Sequence, residues 1–291
     1  MNRAFSRVLC RVGASVVAVG GAAFAAPSLA AARTPADCGK ILYHSITFDK
    51  DLNCSSTQDG LIVGAPNITI DLNGFAINGH SGPIGIDNAK KGGMNGVTVK
   101  NGDINHFTDG VDYDYAAKGK VTHVSLTNNT YGVDFSNSRG GVIRGSSAAY
   151  NQNAGFFFYN DRSVSLINSK AKYNGGVGIE DAHSLDLLRG DVSQNNDGYG
   201  FYVQQPLTAS TSSGRVYSTV MNSTANANGY EGFIVVGNSP TTLYQAKLTG
   251  NHSDYNALWG YWASQMTKGN NNFAVGNGSG NCFQVQCSVG P

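Results

Sequence analysis

An all-β, single-domain solenoid of stacked parallel coils is what this sequence predicts, and three observations carry the prediction. A glycine followed by apolar–x–apolar recurs down the chain, asparagines recur in phase with it, and the composition is that of a turn-rich β protein. The 38 glycines come with only 13% charged residues, about half the usual quarter. Such a chain lacks the long charged faces that surface helices need.

The first 32 residues stand apart. Arg3, Arg7 and Arg11 precede a small and apolar run from Val12 to Ala26, with Ser28-Leu29-Ala30 and Ala30-Ala31-Ala32 as cleavage candidates. That pattern predicts a signal peptide over 1–32 and hence a secreted or periplasmic protein, with no membrane association after cleavage. Without those three arginines, 17 of the 20 basic residues face 19 acids, a balance of −2 that gives no reason to expect nucleic acid as a partner. Export also changes how the cysteines read. Cys38 with Cys54, and Cys282 with Cys287, form one local pair at each end of the mature chain. In an oxidising compartment they suggest two disulfide staples, and no histidines flank them at zinc-ligand spacing.

The glycine series is Gly85, Gly110, Gly132, Gly155, Gly178, Gly200, Gly232 and Gly260, in steps of 25, 22, 23, 23, 22, 32 and 28 residues. Two long steps accommodate insertions, "QQPLTASTSSGR" and "VGNSPTTLYQ". Four residues before each glycine stand His106, Asn128, Asn151, Asn174, Asn196, Asn228 and Asn256. Asparagine tolerates left-handed turns, and stacked amides can bond to one another up a solenoid. Short β patterns such as "SVSLINS" and "LDLLRG" fill the rest of each period. About 22 residues hold three short strands and their turns, and coils stack about 4.8 Å apart, so eight or nine coils are expected. The domains are then an N-terminal cap over 33–60, the coils over 61–275, and a C-terminal cap over 276–291. Caps are required because a solenoid end exposes unpaired strand edges. A rod closed at both ends is expected to be a monomer.

The segment "DGLIVGAPNITIDLNGFAING" (59–79) and the coils after it resemble secreted right-handed parallel β-helix proteins of the pectate-lyase-like superfamily. These include the carbohydrate-binding and sugar-hydrolase repeats also seen in the periplasmic copper-maturation family. The resemblance covers residues 38 to about 275 and is specific for fold; the fold itself hosts many activities. In the lyases of this superfamily the sheet after the glycine, with its following turn, forms the substrate groove.

In each coil the second residue after the glycine should face solvent. Up the rod these read Asp87, Asp112, Asp134, Phe157, Glu180, Tyr202, Ile234 and Trp262, and the fourth residues add Asp114, Ser136 and Tyr159. One half of this face is acidic and the other aromatic. The turns beyond carry Lys118, Arg139, Arg162 and Arg215, with His183 in one coil. Tyr131, Phe157, Tyr159, Tyr202 and Trp262 are the expected sugar platforms. Carboxylates one strand apart repel by roughly 3 kcal/mol at an effective dielectric near 20, which a shared proton or a cation relieves. Asp112, Asp114 and Asp134 are the candidate ligands for calcium, the one cofactor expected; the competing reading is a solvated acidic face.

The resemblance implies β-elimination on an acidic, uronate-containing polysaccharide, with an arginine as base, which nominates Arg139 or Arg162. Asp134, Glu180 and His183 are the further acid–base candidates. Uronate epimerisation shares the proton abstraction. Tyr131, Gly132 and Asp134 match the Tyr-Gly-Phe-Asp-Pro-His motif of secreted alginate epimerases, where Phe135 and Ser136 replace Pro-His. Hydrolysis would need a carboxylate pair, and the polygalacturonase signatures are absent. A non-catalytic glycan-binding or surface-structural solenoid is the remaining class.

Overall fold

Each glycine-led segment alternates buried and outward side chains, and the alternation makes it a strand. A computed structural model of the chain describes residues 37–205, 217–237 and 246–290. The predicted signal peptide and most of both insertions, including Arg215, lie outside the described residues. All pairings between the described strands are parallel, each strand lying on its counterpart one coil away. Tyr131–Ser136, for example, pairs on one side with the end of Thr98–Asp114 and on the other with Ala154–Tyr159. The result is an all-β parallel solenoid of about ten turns, with disulfides Cys38–Cys54 and Cys282–Cys287 near its ends. The glycine series numbers fewer turns because Lys40–Leu42, which precedes it, already pairs with Leu61–Val63.

The core is a set of columns that repeat one side chain per coil. Val111, Val133, Phe156, Ile179, Phe201, Phe233 and Tyr261 stand in register and are buried. Phe201 stacks on Phe233 at 4.6 Å and Phe233 on Tyr261 at 4.9 Å, with nearly parallel ring planes in both cases. The repeat glycine is there for lack of room. A Cβ on Gly110 would strike the carbonyl oxygen of Gly132, and one on Gly132 that of Gly155. Positive φ plays no part at these positions.

The corners need a separate solution, since their inward N–H groups have no strand partner and burying one unpaired costs about 1–3 kcal/mol. Here the side-chain oxygen of the next coil accepts the bond. Phe107 N–H donates to Asn129 Oδ1 (2.9 Å), Asn129 N–H to Asn151 Oδ1 (3.0 Å), and Asn151 N–H to Asn174 Oδ1 (3.0 Å). The series runs on through Asn196, Asn228 and Asn256 to Asn277. A second corner uses Ser146, Ser169, Asp191, Ser223, Asn251 and Asn272 in the same way. A third uses Ser138, Asp161 and Ser184. Burial pushes the Asp161 carboxyl up to about 10, so this ladder position holds a protonated acid at neutral pH.

The ladder corrects two sequence assignments. Asn128 is not a rung; its neighbour Asn129 is, because this coil has one residue fewer between corner and glycine. Asn128 takes the left-handed conformation just before the rung (φ 57°), and His106 (φ 63°) does the same before Phe107. We therefore expect Asn129→Ala to destabilise the protein by about 1–3 kcal/mol, by orphaning the Phe107 N–H. Asn128→Gly should change stability by less than about 0.5 kcal/mol. Urea denaturation of the two variants checks both; equal losses would contradict the one-residue shift.

Candidate functional site

The face that begins at the repeat glycine is held flat by its register, so outward side chains from successive coils form columns. Asp87, Asp112, Asp134, Phe157, Glu180, Tyr202, Ile234, Trp262 and Phe283 stand one above another. Beside this column, Asp109 pairs with Tyr131, and on its other side Asp114 pairs with Ser136 and Ser136 with Tyr159. Two members are buried: Ile234, and Asp87, which is only 3% exposed and whose Oδ1 accepts the N–H groups of Ala89 and Lys90 (3.0 and 2.8 Å). That carboxylate closes a turn.

The remaining acids are half-buried and act on one another. Burial pushes Asp112 up to about 8, with Asp134, Asp109, Asp87 and Asp114 adding like charge. Burial and Asp134 together push Asp109 up to about 7. Asp134 itself lies at about 6: burial raises it, the Ser136 hydroxyl donating to Oδ1 at 2.6 Å draws it back, and Asp114 raises it. Glu180 is raised by burial and by Asp134. Tyr131 is raised by burial and by Glu180, Asp109 and Asp134, against a hydrogen bond from Asn153 Nδ2 at 2.6 Å. Asp109, Asp112 and Asp134 thus form one interacting set that carries protons at neutral pH.

Rings border the acids. Tyr131 lies 5.3 Å from Phe157, and Phe157 is stacked 6.3 Å from Tyr159. Farther along, Tyr199 contacts both Tyr202 (5.7 Å) and Tyr230 (5.3 Å), and Phe283 lies against Trp259 and Trp262. The structure therefore gathers Asp112, Tyr131, Asp134, Phe157, Glu180 and Tyr202 on one face. Arg139 and Arg162 sit at its border instead, bridged to each other in the turn after the strands. His183 lies in the same turn region, in a left-handed conformation (φ 57°), with its ring edge-on to Tyr159 at 5.6 Å. Asp109, Tyr199, Tyr230, Trp259 and Phe283 are additions that sequence reasoning missed. Asp109, Tyr199 and Trp259 directly precede a repeat glycine, so extending the repeat by one residue on the N-terminal side of each glycine would have found them.

The calcium set does not assemble. Asp112 and Asp134 are adjacent in register, but one oxygen of Asp134 takes the Ser136 hydroxyl and one of Asp114 takes Asn137 Nδ2 (3.2 Å). Among the described residues no three His, Cys, Asp or Glu side chains come together as a metal site.

A parallel β-solenoid with a proton-holding acidic and aromatic face is the class that fold and site define. A family model, "Periplasmic copper-binding protein (NosD)", matches residues 52–284, and the chain belongs to this NosD family. The family and the two disulfides together fit an extracytoplasmic protein. No curated protein matches the chain in sequence. Among solved structures, a point mutant of the periplasmic alginate epimerase AlgG is 13% identical, with 88% of this chain and 79% of that one covered and a TM-score of 0.61. The alginate lyase from Paenibacillus sp. str. FPU-7 is 15% identical, with 88% and 98% covered and a TM-score of 0.49. The likeness is one of fold. Copper favours imidazole and sulfur ligands, but the four described cysteines are in disulfides and no ligand cluster forms among the described residues. These residues therefore do not fit a copper site.

The acids make stability depend on pH. Their folded-state values lie above the ordinary 3.8, so the folded chain holds more protons than the unfolded one between about pH 4 and pH 8. Stability is then full below about pH 4 and falls as pH rises through that window. Asp112→Asn should flatten the fall and leave the variant more stable than the native chain at about pH 8, by about 1.4 kcal/mol for each pKa unit removed. Thermal melts of both proteins across the window measure it.

Proposed function

We propose that this protein is a carbohydrate-active β-helix that lays a polysaccharide along the acidic and aromatic face and cleaves uronate linkages by β-elimination. One observation carries the reading: Asp109, Asp112 and Asp134 hold protons to different extents beside the rings of Tyr131 and Phe157. Rings of this kind stack on sugar faces. A neutral carboxyl at Asp112 can donate a hydrogen bond to a uronate carboxylate, as a carboxylic acid kept protonated by its surroundings does. That bond spreads the negative charge that builds up when the neighbouring C–H is broken.

Asp134, with the lowest value of the three, is the base. It takes the proton from the carbon beside the uronate carboxylate. The electron pair forms the new C=C bond, the C–O bond to the leaving sugar breaks, and Tyr131, protonated at neutral pH, gives its proton to the leaving oxygen. Arg139 and Arg162, nominated from sequence as the base, lie in the bordering turn and in this reading hold carboxylates of neighbouring sugars, with His183 beside Tyr159 at the same border. Glu180, Tyr202 and Trp262 extend the platform up the rod.

The two ring groups, Tyr199 with Tyr202 and Tyr230, and Trp259 and Trp262 with Phe283, favour a second reading, a glycan-binding solenoid without catalysis. Epimerisation would share the Asp134 step and return the proton from the opposite face.

The test is absorbance of new unsaturated ends at about 235 nm, on a panel of polyuronates and glycosaminoglycans. The rate should rise through about pH 6 as Asp134 loses its proton and fall above about pH 8 as Asp112 loses its own. Asp134→Asn should lower kcat by about 10²–10⁴. No absorbance from any polymer sinks β-elimination, and glycan retention that survives a Phe157→Ala, Tyr202→Ala double variant sinks the face itself.

A further inference from the structure

A second feature of the surface lies at the asparagine corner, on the residues that flank the rungs. The residue before each rung, and before Phe107 at the start of the ladder, is left-handed: His106 (φ 63°), Asn128 (57°), Tyr150 (57°), Tyr173 (55°), Asn195 (55°), Ala227 (53°), Tyr255 (54°) and Gly276 (67°). Asparagine suits that conformation, whereas a bulky aromatic side chain there is an outlier. Tyrosine nevertheless occupies it in several coils and is exposed, with Tyr150 at 60% and Tyr173 at 47%. Tyr150 and Tyr173 stack on each other at 5.3 Å with an interplanar angle of 8°. Neither burial nor backbone preference accounts for rings at these positions, and strain of this kind points to function.

The same corner holds a cleft with a volume of about 340 Å³, the size of a small-ligand site. One wall is the left-handed column His106, Asn128 and Tyr150, and the other is the column two residues on, Thr108, Thr130 and Gln152. Its floor includes Phe107 and the rung Asn129, both fixed by the ladder bond between them at 2.9 Å. The walls offer hydroxyls, amides, one imidazole and a ring, and the lining includes no carboxylate, lysine or arginine. Both columns repeat once per coil, about every 4.8 Å, which is close to the length of one pyranose unit in an extended chain.

We propose that this cleft is a second glycan site, taking an uncharged, hydroxyl-rich oligosaccharide that runs along the rod with one sugar per coil. The amides and hydroxyls of the two walls meet sugar hydroxyls in donor and acceptor pairs, and the outer face of Tyr150 stacks on the terminal unit. A uronate chain finds no lysine or arginine here. The site stands independently of the reaction proposed for the acidic face.

The test uses the full chain and isothermal titration with cellohexaose, laminarihexaose and mannohexaose, with hexamannuronate as the charged counterpart. At least one neutral hexasaccharide should bind. Tyr150→Asn, which puts at this corner the residue that Asn128 and Asn195 already supply, should keep or raise the melting temperature and weaken binding about tenfold or more. Gln152→Ala should weaken it as well, and hexamannuronate should not displace the neutral sugar. The proposal is overturned if no neutral hexasaccharide binds, if folded Tyr150→Asn binds as the native chain does, or if hexamannuronate displaces the neutral ligand and so puts it on the acidic face.

Discussion

Every coil of this rod must turn corners, and at each corner a backbone N–H points inward where no strand can pair it. The rest of the structure depends on how those donors are satisfied. Asparagine is well suited at the corner before the glycine strand because it accepts with Oδ1 and donates with Nδ2 at once. Asn174 receives the Asn151 N–H at 3.0 Å and gives its own amide to Ala148 O at 3.2 Å. Each rung thus ties its own coil to the preceding one at two points. Where only an acceptor is needed, serine or a protonated aspartate serves, as at Ser138, Asp161 and Ser184.

Corners locked in this way fix the register of the strands between them, and register is what turns a periodic sequence into a surface. With Asp112, Asp134 and Phe157 held in register, like charges neighbour one another. Burial disfavours their charged forms and neighbouring like charge adds to it, so the set holds protons. The feature that makes the fold repetitive is therefore the one that raises the acids. A solvated acidic coat would need no such shifts.

Much of this was legible in the sequence, and for an identifiable reason: the glycine and its apolar neighbours are dictated by coil-to-coil contact, which recurs in every period. The outward Asp112, Asp134 and Glu180, the buried Val133 and Phe135, and both disulfides are consistent with that reading, while Asp87 and Ile234 of the same column are buried. Phase at the corner was not legible to the residue. Two adjacent asparagines at 128–129 fit the pattern equally well until the hydrogen bond from Phe107 N–H chooses Asn129. Buried acids escaped too, because Asp181, fully buried, takes an inward position that the pattern reserves for apolar side chains. Arg139 and Arg162 lie in the turn after the strands, and no periodicity encodes how that turn bends. Asp109 and Tyr199 sit just outside the segment that begins at the glycine.

The most direct measurement is the titration of the Asp109, Asp112 and Asp134 side-chain carboxyls by carbon-13 NMR, assigned with single Asn variants. A proton-holding acidic face predicts midpoints between about 6 and 8, with proton still on the set at neutral pH. Three carboxyls that are all fully ionised by about pH 5, as isolated solvated aspartates are, would contradict it.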